Sequence, residues 1–341
     1  MPADLNAQRV DLLEPDSLLR LYSLYEEVAT PLDAYFRSVP QSGDGLGVQW
    51  ETLEFSREAA AVNTRAGDPN PVKPAARATI TASPLSISES IYVPPDVLAD
   101  LRAPGETARA NGAIWVGIQM RQLRNRLLRR RQILKAHCLG ANATHPGYMD
   151  FREPGKSTDT SVNLDFTSTH ITIGTAWQTS TTNILADMDA AKLKIRQHSG
   201  RNPTTMLTTS TVMGYITAND SIYAWMSDAA KDEVRLTNRV RRLAELDIVV
   251  VDDQYDTDGA GTMAGLFPDD FVCILPADAT YREERECKPV SPHAPNGSRG
   301  LFMHTWYDAG IKGGAHIEYE WTGLPVVVVP DEIVFDVDVT A

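Results

Sequence analysis

The longest regular pattern in the chain is helical. Between Ile114 and Leu139, the apolar residues Val116, Met120, Leu123, Leu127, Leu134 and Cys138 recur at spacings of three, four or seven. That period gathers side chains on one face of an α-helix. Pro104-Gly105 lies ahead of the run and Gly140 behind it, where a helix commonly ends in the left-handed conformation that glycine tolerates. The spacing predicts one helix of roughly 25–30 residues, about 40 Å long at 1.5 Å per residue.

Upstream the period shortens to two. Gln49–Glu58 and Arg77–Val93 alternate as strands do, while Ala59–Ala76 between them contains Gly67-Asp68-Pro69-Asn70-Pro71 and Pro74, which continue neither strand nor helix. Two strands flanking a polar, proline-rich tip predict a long hairpin. Legs of about ten residues would project ~30–35 Å, and a two-stranded ribbon is marginal in water unless it lies on another surface. The first 45 residues hold no independent core. Ser17–Val28, with Leu18, Leu19, Leu21, Tyr22 and Tyr25, predicts a short amphipathic helix in an arm that packs elsewhere.

After Gly140, Tyr148–Ile173 predicts hairpin strands around Glu153-Pro154-Gly155-Lys156, and Thr182–His198 a helix stopped by Gly200. Thr204–Thr209 predicts a strand and Val212–Ala218 a short helix, and Asp247–Val251 and Phe271–Leu275 are apolar runs of the buried-strand type. The valine-rich stretch Leu324–Val339 ends with Val337 and Val339 alternating against Asp336 and Asp338. Helices and strands are mixed, so the expected class is α+β.

The chain has 341 residues, enough for two domains or one core with long extensions, and 43% of them are hydrophobic, which excludes wholesale disorder. No run of eighteen apolar residues predicts a membrane span. Met1–Asp16 carries Asp4, Asp11, Glu14 and Asp16 and lacks a signal-like apolar core, so secretion is not expected. Three scattered cysteines, Cys138, Cys273 and Cys287, fit a reducing compartment. The net charge of −13 argues against general coating by nucleic acid. It is unevenly spread: Ile114–Leu139 carries Arg121, Arg124, Arg126, Arg129, Arg130, Arg131 and Lys135 with no acid, which leaves the rest of the chain at −20. One reading of this segment is a solvated basic face on a core helix. The other is a stripe that meets acidic groups on neighbouring subunits, Asp331, Glu332, Asp336 and Asp338 among them, or a polyanion.

Candidate chemistry is sparse. The glycines from Gly259 to Gly265 follow a strand but run into Phe267-Pro268, leaving no helix N-terminus for a phosphate. Asp252–Gly259 resembles a calcium loop only superficially, because aligning Gly259 to its sixth position puts Gly265 where a bidentate Glu is required. The seven histidines, His137, His145, His170, His198, His293, His304 and His316, show no metal-ligand spacing. Cys287 and His293 make no specific nucleophile–base signature, and neither Gly-x-Ser-x-Gly nor a P-loop pattern is present. No cofactor, metal or catalytic constellation is expected, and so no enzyme.

A resemblance narrows the field. Asp247-Ile248-Val249-Val250-Val251-Asp252-Asp253-Gln254-Tyr255, then Leu266-Phe267-Pro268-Asp269-Asp270 running into Phe271–Leu275, and the ending Leu324–Glu332 with its Pro330-Asp331 resemble segments of the tailed-bacteriophage major capsid proteins, specifically the lambda-like capsid protein E family. Lys73-Pro74 is similar to a Lys-Pro in relatives, whereas Ala277–Gly323 departs from the pattern. The resemblance implies an HK97-like phage capsid fold: N-terminal arm (residues 1–45), extended β-hairpin loop (46–93), peripheral domain with a long spine helix (94–177), axial domain (178–307) and C-terminal strands completing the peripheral domain (308–341).

The implied function is structural. Copies would assemble as pentamers and hexamers into an icosahedral virion head around double-stranded DNA, with scaffolding, decoration and portal proteins as further partners and assembly in the host cytoplasm. Expected subunit contacts are Trp50, Phe55, Arg65, Lys73 and Arg77 of the loop and Arg121, Arg124 and Arg131 of the spine helix. Some members of the broader fold join loops covalently through Lys and Asn; Lys73 sits in the tip, but no partner Asn can be named. The alternatives are an encapsulin-like shell around protein cargo and a soluble hydrolase with dispersed Asp and His groups.

Overall fold

Thirty-three residues without an interior proline make the dominant element. The computed structural model describes residues 30–41, 47–54, 76–102, 106–151, 160–164, 166, 175–256, 261–289, 299–307 and 314–340. The expected arm helix and the proline-rich hairpin tip lie outside them. Four strands, β1 (Arg37–Pro40), β2 (Val48–Glu54), β3 (Ala76–Ala82) and β4 (Leu85–Val93), lead into helices α1 (Pro95–Arg102) and α2 (Glu106–Cys138) and the hairpin β5 (Tyr148–Phe151) with β6 (Thr160–Asn163). The middle of the chain forms α3 (Ile184–His198), β7 (Thr205–Thr208), α4 (Ser210–Ala218), α5 (Asp220–Trp225), α6 (Asp228–Thr237), β8 (Arg242–Leu243), β9 (Leu246–Val250), β10 (Gln254–Asp256) and β11 (Met263–Gly265). Next come β12 (Val272–Leu275), β13 (Arg282–Glu286), β14 (Gly300–Tyr307), β15 (Ala315–Val327), a 3-10 turn (Pro330–Glu332) and β16 (Val334–Asp336).

Helix α2 spans about 50 Å and begins directly after Pro104-Gly105, two turns earlier than the apolar period alone predicts. Its end is a Schellman motif: the N–H of Ala141 bonds to the carbonyl of Ala136 and that of Gly140 to His137, both at 3.0 Å. Gly140 has φ +90°, and a Cβ there would fall 2.3 Å from the Phe335 ring of β16. Helix end and closing strand therefore fit only with glycine between them.

Two sheets organise the rest. In the first, β15 runs between β14 and β4 along Ala315–Thr322, then pairs with β13 along Gly323–Val327, with β1 parallel beside β13. Ile317, Tyr319 and Trp321 share its α2-facing core with Val116, Met120, Leu123 and Leu127. The second sheet has the order β16-β12-β7-β9-β8, antiparallel except for β7 against β9. It divides two cores. Cys273, Leu275, Leu207 and Phe335 belong to the core of α2, whereas Val272, Ile274, Met206 and Val334 belong to a second core with Ile184, Met188, Ile195 and Ile216 of α3 and α4. Period-two alternation sends successive side chains into different cores, so such strands are apolar at every position, as the run Phe271–Leu275 indicates.

One expectation is revised. Arg77–Val93 is not one leg: it breaks at Ser83-Pro84, so that β3 pairs with β2 while β4 pairs along its whole length with β15. Proline has no N–H to continue a ladder, and the described hairpin legs are seven residues long. Leu324–Val339 divides at Pro330-Asp331, which stands ahead of a final strand as the resemblance implies: its first part ends β15 and its last forms β16 in the other sheet. Helices α1, α5 and α6, strands β13 and β14 and the first half of β15 carry no signal in the initial reading. Elsewhere α3 and α4 begin at side-chain caps, Asn183 accepting from Ala186 at 3.2 Å and Thr209 from Val212 at 3.5 Å.

Gly140→Val forces a β-branched side chain into a left-handed position and against Phe335. We expect a loss of at least ~2 kcal/mol in unfolding free energy, read from denaturant titration of the unassembled subunit; an unchanged midpoint would contradict the packing described.

Candidate assembly surface

Strand β13 reads Arg282-Glu283-Glu284-Arg285-Glu286, yet it lies inside the first sheet between β1 and β15. Its alternate residues point the same way, and Arg282, Glu283, Glu284 and Arg285 each meet a counter-charge. Glu284, 4% exposed, accepts Nε and Nη2 of Arg131 at 2.7 Å each and Nζ of Lys135 at 2.8 Å. Lys135 also reaches Asp33 at 2.6 Å, Gln132 donates to the same carboxylate at 2.6 Å, and the Leu32 N–H donates to Gln132 Oε1 at 3.0 Å. The segment just ahead of β1 is thus held against the last turns of α2 by directional polar bonds. Two residues back, the fully buried Arg282 donates to Glu332 Oε1 at 2.6 Å and to the carbonyls of Tyr35, Pro276 and Asp278. Arg201 closes the group by donating to Glu332 at 2.9 Å and to Asp278. On the other face, Glu283 pairs with Arg37 at 3.1 Å and with Arg285 at 3.0 Å.

Titration follows this geometry. Burial alone would raise the Glu284 carboxyl, but Arg131 and Lys135 hold it below the ordinary range. Asp33 is likewise lowered against its own burial by Lys135, Gln132 and Arg131. The Arg201 guanidinium lowers Asp278. Glu332 goes the other way: burial raises it in spite of two arginines.

The basic run on α2 is therefore not one solvated face. Arg131 and Lys135 turn inward, and Arg126 pairs with Glu89 of β4 at 2.7 Å. The partners lie in the same chain, in β13, β4 and the segment before β1. Glu332, considered in the sequence as a partner for the helix, is committed to Arg282 and Arg201. Sequence reasoning missed Glu284 and Asp33; the signal was an alternating charged pentapeptide between two aliphatic strands. Of the other candidate residues on α2, Arg121 and Arg124 are half-buried. Arg124 lies near Tyr319, whose phenol burial pushes up to about 12. Arg129 is exposed, and so are Ile118 and Ile114, about three and four turns earlier.

At the ribbon, Val48, Trp50 and Ala82 enter the first core, with Trp50 only 2% exposed. Strands β2 and β3 pair from Val48↔Ala82 to Glu54↔Ala76, with no third strand among the described residues. Arg77 stands opposite Leu53 in that ladder. Phe55, Arg65 and Lys73 lie outside the described residues, as do His170 and His293.

A groove of about 530 Å³ lies between the ribbon root, α2 and the β5–β6 hairpin, lined by Ile80, Pro84, Leu85, Leu134, Phe151 and Val162, with Arg130 as the ionisable side chain at its wall. No acid–base pair lines it. Cys138, Cys273 and Cys287 are buried, and burial pushes all three thiols up, away from nucleophilic form. Among the described residues no group of three His, Cys, Asp or Glu could hold a metal, and no helix is long and apolar enough to cross a membrane.

The sequence model of the family described as phage major capsid protein E matches residues 45–289. No curated protein matches the chain in sequence. Among solved structures it is similar to a prophage protein of E. coli CFT073 described as a capsid protein, at 11% identity and TM-score 0.60, covering 98% of each chain. It is also similar to a phage-related protein of Bordetella bronchiseptica RB50, at 11% identity and TM-score 0.55, covering 95% of this chain and 96% of that one. The capsid of cyanophage P-SCSP1u gives 11% identity and TM-score 0.51, covering 91% and 88%. At such identities the likeness speaks for the fold, which is HK97-like.

Removing one partner of a buried ion group strands the others. Glu284→Gln should cost about 3–5 kcal/mol of subunit stability, measured by denaturant titration near neutral pH. Because Glu284, Asp33 and Asp278 titrate below their unfolded values, the stability that they contribute is complete above the ordinary carboxylate range and is lost as pH falls through their lowered values. Wild-type stability should therefore drop steeply below about pH 4, and less steeply in Glu284→Gln; parallel profiles would exclude Glu284 as a contributor.

Proposed function

The chain belongs to the phage major capsid protein E family, and from that premise we propose how its parts divide the work of building a shell. It is a structural protein whose copies assemble into an icosahedral phage capsid. The single observation that carries this is the family match over residues 45–289, which favours a phage head over a protein-filled compartment or a hydrolase.

Within that shell, residues 1–45 act as the arm and 46–93 as the extended loop. Helix α2 is the spine of a peripheral domain (94–177) completed by strands of 308–341, and the second core lies in the axial domain (178–307). Strands β13 and β14 join the sheet on the spine, so the chain crosses between the two domains more than once. Trp50 and Arg131 anchor ribbon and spine within the subunit. Phe55, Arg65, Lys73 and Arg77 of the loop and Arg121 and Arg124 of the spine meet neighbouring subunits. The reasoning is that a two-stranded ribbon rooted by Val48, Trp50 and Ala82 gains stability by lying on another surface. The cargo is double-stranded DNA, and a net charge of −13 limits adhesion of the polyanion to the wall. Portal, scaffolding and decoration proteins complete the head, which assembles in the host cytoplasm.

Electron microscopy of the purified protein tests the reading, and shells of uniform diameter are expected. Deleting Arg65–Pro74 should leave a soluble, folded subunit with an unchanged denaturation midpoint that closes no shells; normal particles from this deletion would sink the role given to the loop. Arg124→Glu with Arg129→Glu probes the spine. We expect it to block assembly in the absence of DNA, whereas empty shells that form normally and then fail to package would assign these arginines to DNA. Arg131→Glu is unsuitable here, since it sets a carboxylate against Glu284 and would report folding.

A further inference from the structure

Strand β4 stands at an open edge of the first sheet. Its nine residues, about 30 Å long, pair in unbroken register with β15 from Leu85↔Gly323 to Val93↔Ala315. Among the described residues no strand pairs with its other side. Every second residue of an antiparallel strand aims its N–H and C=O away from the strand it is paired with, and among the described residues those outward groups of β4 have no backbone partner. Edge strands are ordinarily blunted by lysine, proline, a bulge or a covering segment. Leu85–Val93 contains neither lysine nor proline nor bulge, and its one charge, Glu89, is neutralised by Arg126 of α2 at 2.7 Å.

Two grooves follow this edge, one behind the other. The groove of about 530 Å³ lies at Ser83–Ile87 and is walled by Arg130 and Leu134. The next, of about 380 Å³, lies at Glu89–Ile91 and is walled by Gln119, Gln122, Leu123 and Arg126. No residue of β15 lines either one, so both open on the side of β4 that β15 leaves uncovered. Ile80, Leu85, Ile87, Ile91 and Val162 border them and are only half-buried. The seam between β4 and α2 is thus a slot with backbone donors and acceptors along one wall, apolar side chains at its floor and two arginines on the other wall. It fits an extended peptide that adds a strand to the sheet and sends alternate side chains into the grooves. That peptide is apolar at alternate positions and acidic near the arginines.

The chain itself carries such a segment. Residues 1–29, outside the described residues, hold six acids against two arginines. Within them Val10-Asp11-Leu12-Leu13-Glu14, read as a strand, puts Val10, Leu12 and Glu14 on one side and Asp11 on the other. The first described residues stand at the right height on α2: the Leu32 N–H donates to Gln132 and Lys135 donates to Asp33, level with Arg130 and Leu134. Gln132 is about 200° around the helix from Arg130, so the segment has to pass around α2. Sixteen residues separate Thr30 from Glu14. They reach ~24 Å even as a helix, whereas half the circumference of a helix with its side chains is about 17 Å.

We propose that residues 1–16 dock in the β4–α2 slot of their own subunit, with Val10–Glu14 added to the first sheet as the strand beyond β4. Val10 and Leu12 fill the grooves, and the carboxylates lie at Arg126 and Arg130. The contact covers an edge that would otherwise pair with a foreign strand. It goes beyond the shell reading, because it is made within one chain whether or not shells form.

Hydrogen exchange in the unassembled full chain tests this contact. Removing residues 1–16, and separately Val10→Ser with Leu12→Ser, should each speed exchange of the Leu85–Val93 amides by about tenfold or more. The amides of β15, which lie between strands, should keep their protection, and circular dichroism should remain that of a folded subunit. If the shortened chain does not fold, the serine variant decides alone. Unchanged exchange in β4 of either folded variant overturns the proposal. So does protection of β4 that rises with subunit concentration, because the segment would then sit on another copy. Electron microscopy scores shells separately: a chain that shows this protection but forms no shells fails the shell reading alone, and shells built from subunits without it fail only this contact.

Discussion

Burying a strand made wholly of charged residues is the constraint from which the rest of the architecture follows. An ionised side chain taken out of water costs several kcal/mol unless it is paired and its remaining hydrogen-bonding positions are filled. Strand β13 meets that demand with groups from distant parts of the chain. Arg131 and Lys135 come from α2, Asp33 from the segment before β1, Glu332 from the turn after β15, and Arg201 from just beyond α3. None of these can shift without leaving a charge unpaired. Buried ion groups contribute little net stability compared with apolar packing, but they tolerate few alternative arrangements. In this protein they fix the position of the segment before β1, the register of the helix and the entry to β16 at once.

A second constraint is the sheet shared by two cores. Residues of β7, β12 and β16 alternate between the core of α2 and that of α3 and α4, so the two halves of the molecule cannot be packed independently. The interior is thereby stiff. What remains outside, among the described residues, includes the exposed side chains Ile114, Ile118, Arg126 and Arg129 of α2. A subunit that is rigid inside and carries incompletely covered extensions is suited to repetition. Preorganised surfaces lose little conformational entropy on docking, and the shell gains what the single chain cannot supply.

The sequence carried much of this and missed a definable part. The apolar period of α2, Gly140 as its stop and the buried run Phe271–Leu275 were legible because each depends on neighbours within about ten residues, where helical and strand periods and the φ preference of glycine act. The resemblance that named the family came from segments of that same local kind, and the match over residues 45–289 agrees with it. The arginines of α2 were legible as an excess of charge, but not as a division into inward and outward groups. Arg131 and Arg126 differ by five positions and face different elements, Glu284 in one case and Glu89 in the other.

Local order determined that α2, α3 and α4 are helices and that β7, β9 and β12 are strands, and where α2 stops. Only the tertiary structure decided that Arg77–Val93 serves two sheets, that β15 is shared among β4, β13 and β14, and that Arg-Glu-Glu-Arg-Glu is interior rather than surface. The physical reason is that a charged pentapeptide has no intrinsic preference for burial. It is carried inside only when partners more than a hundred residues away, such as Arg131 for Glu284, arrive with matching charge and geometry, and neither composition nor period records that meeting.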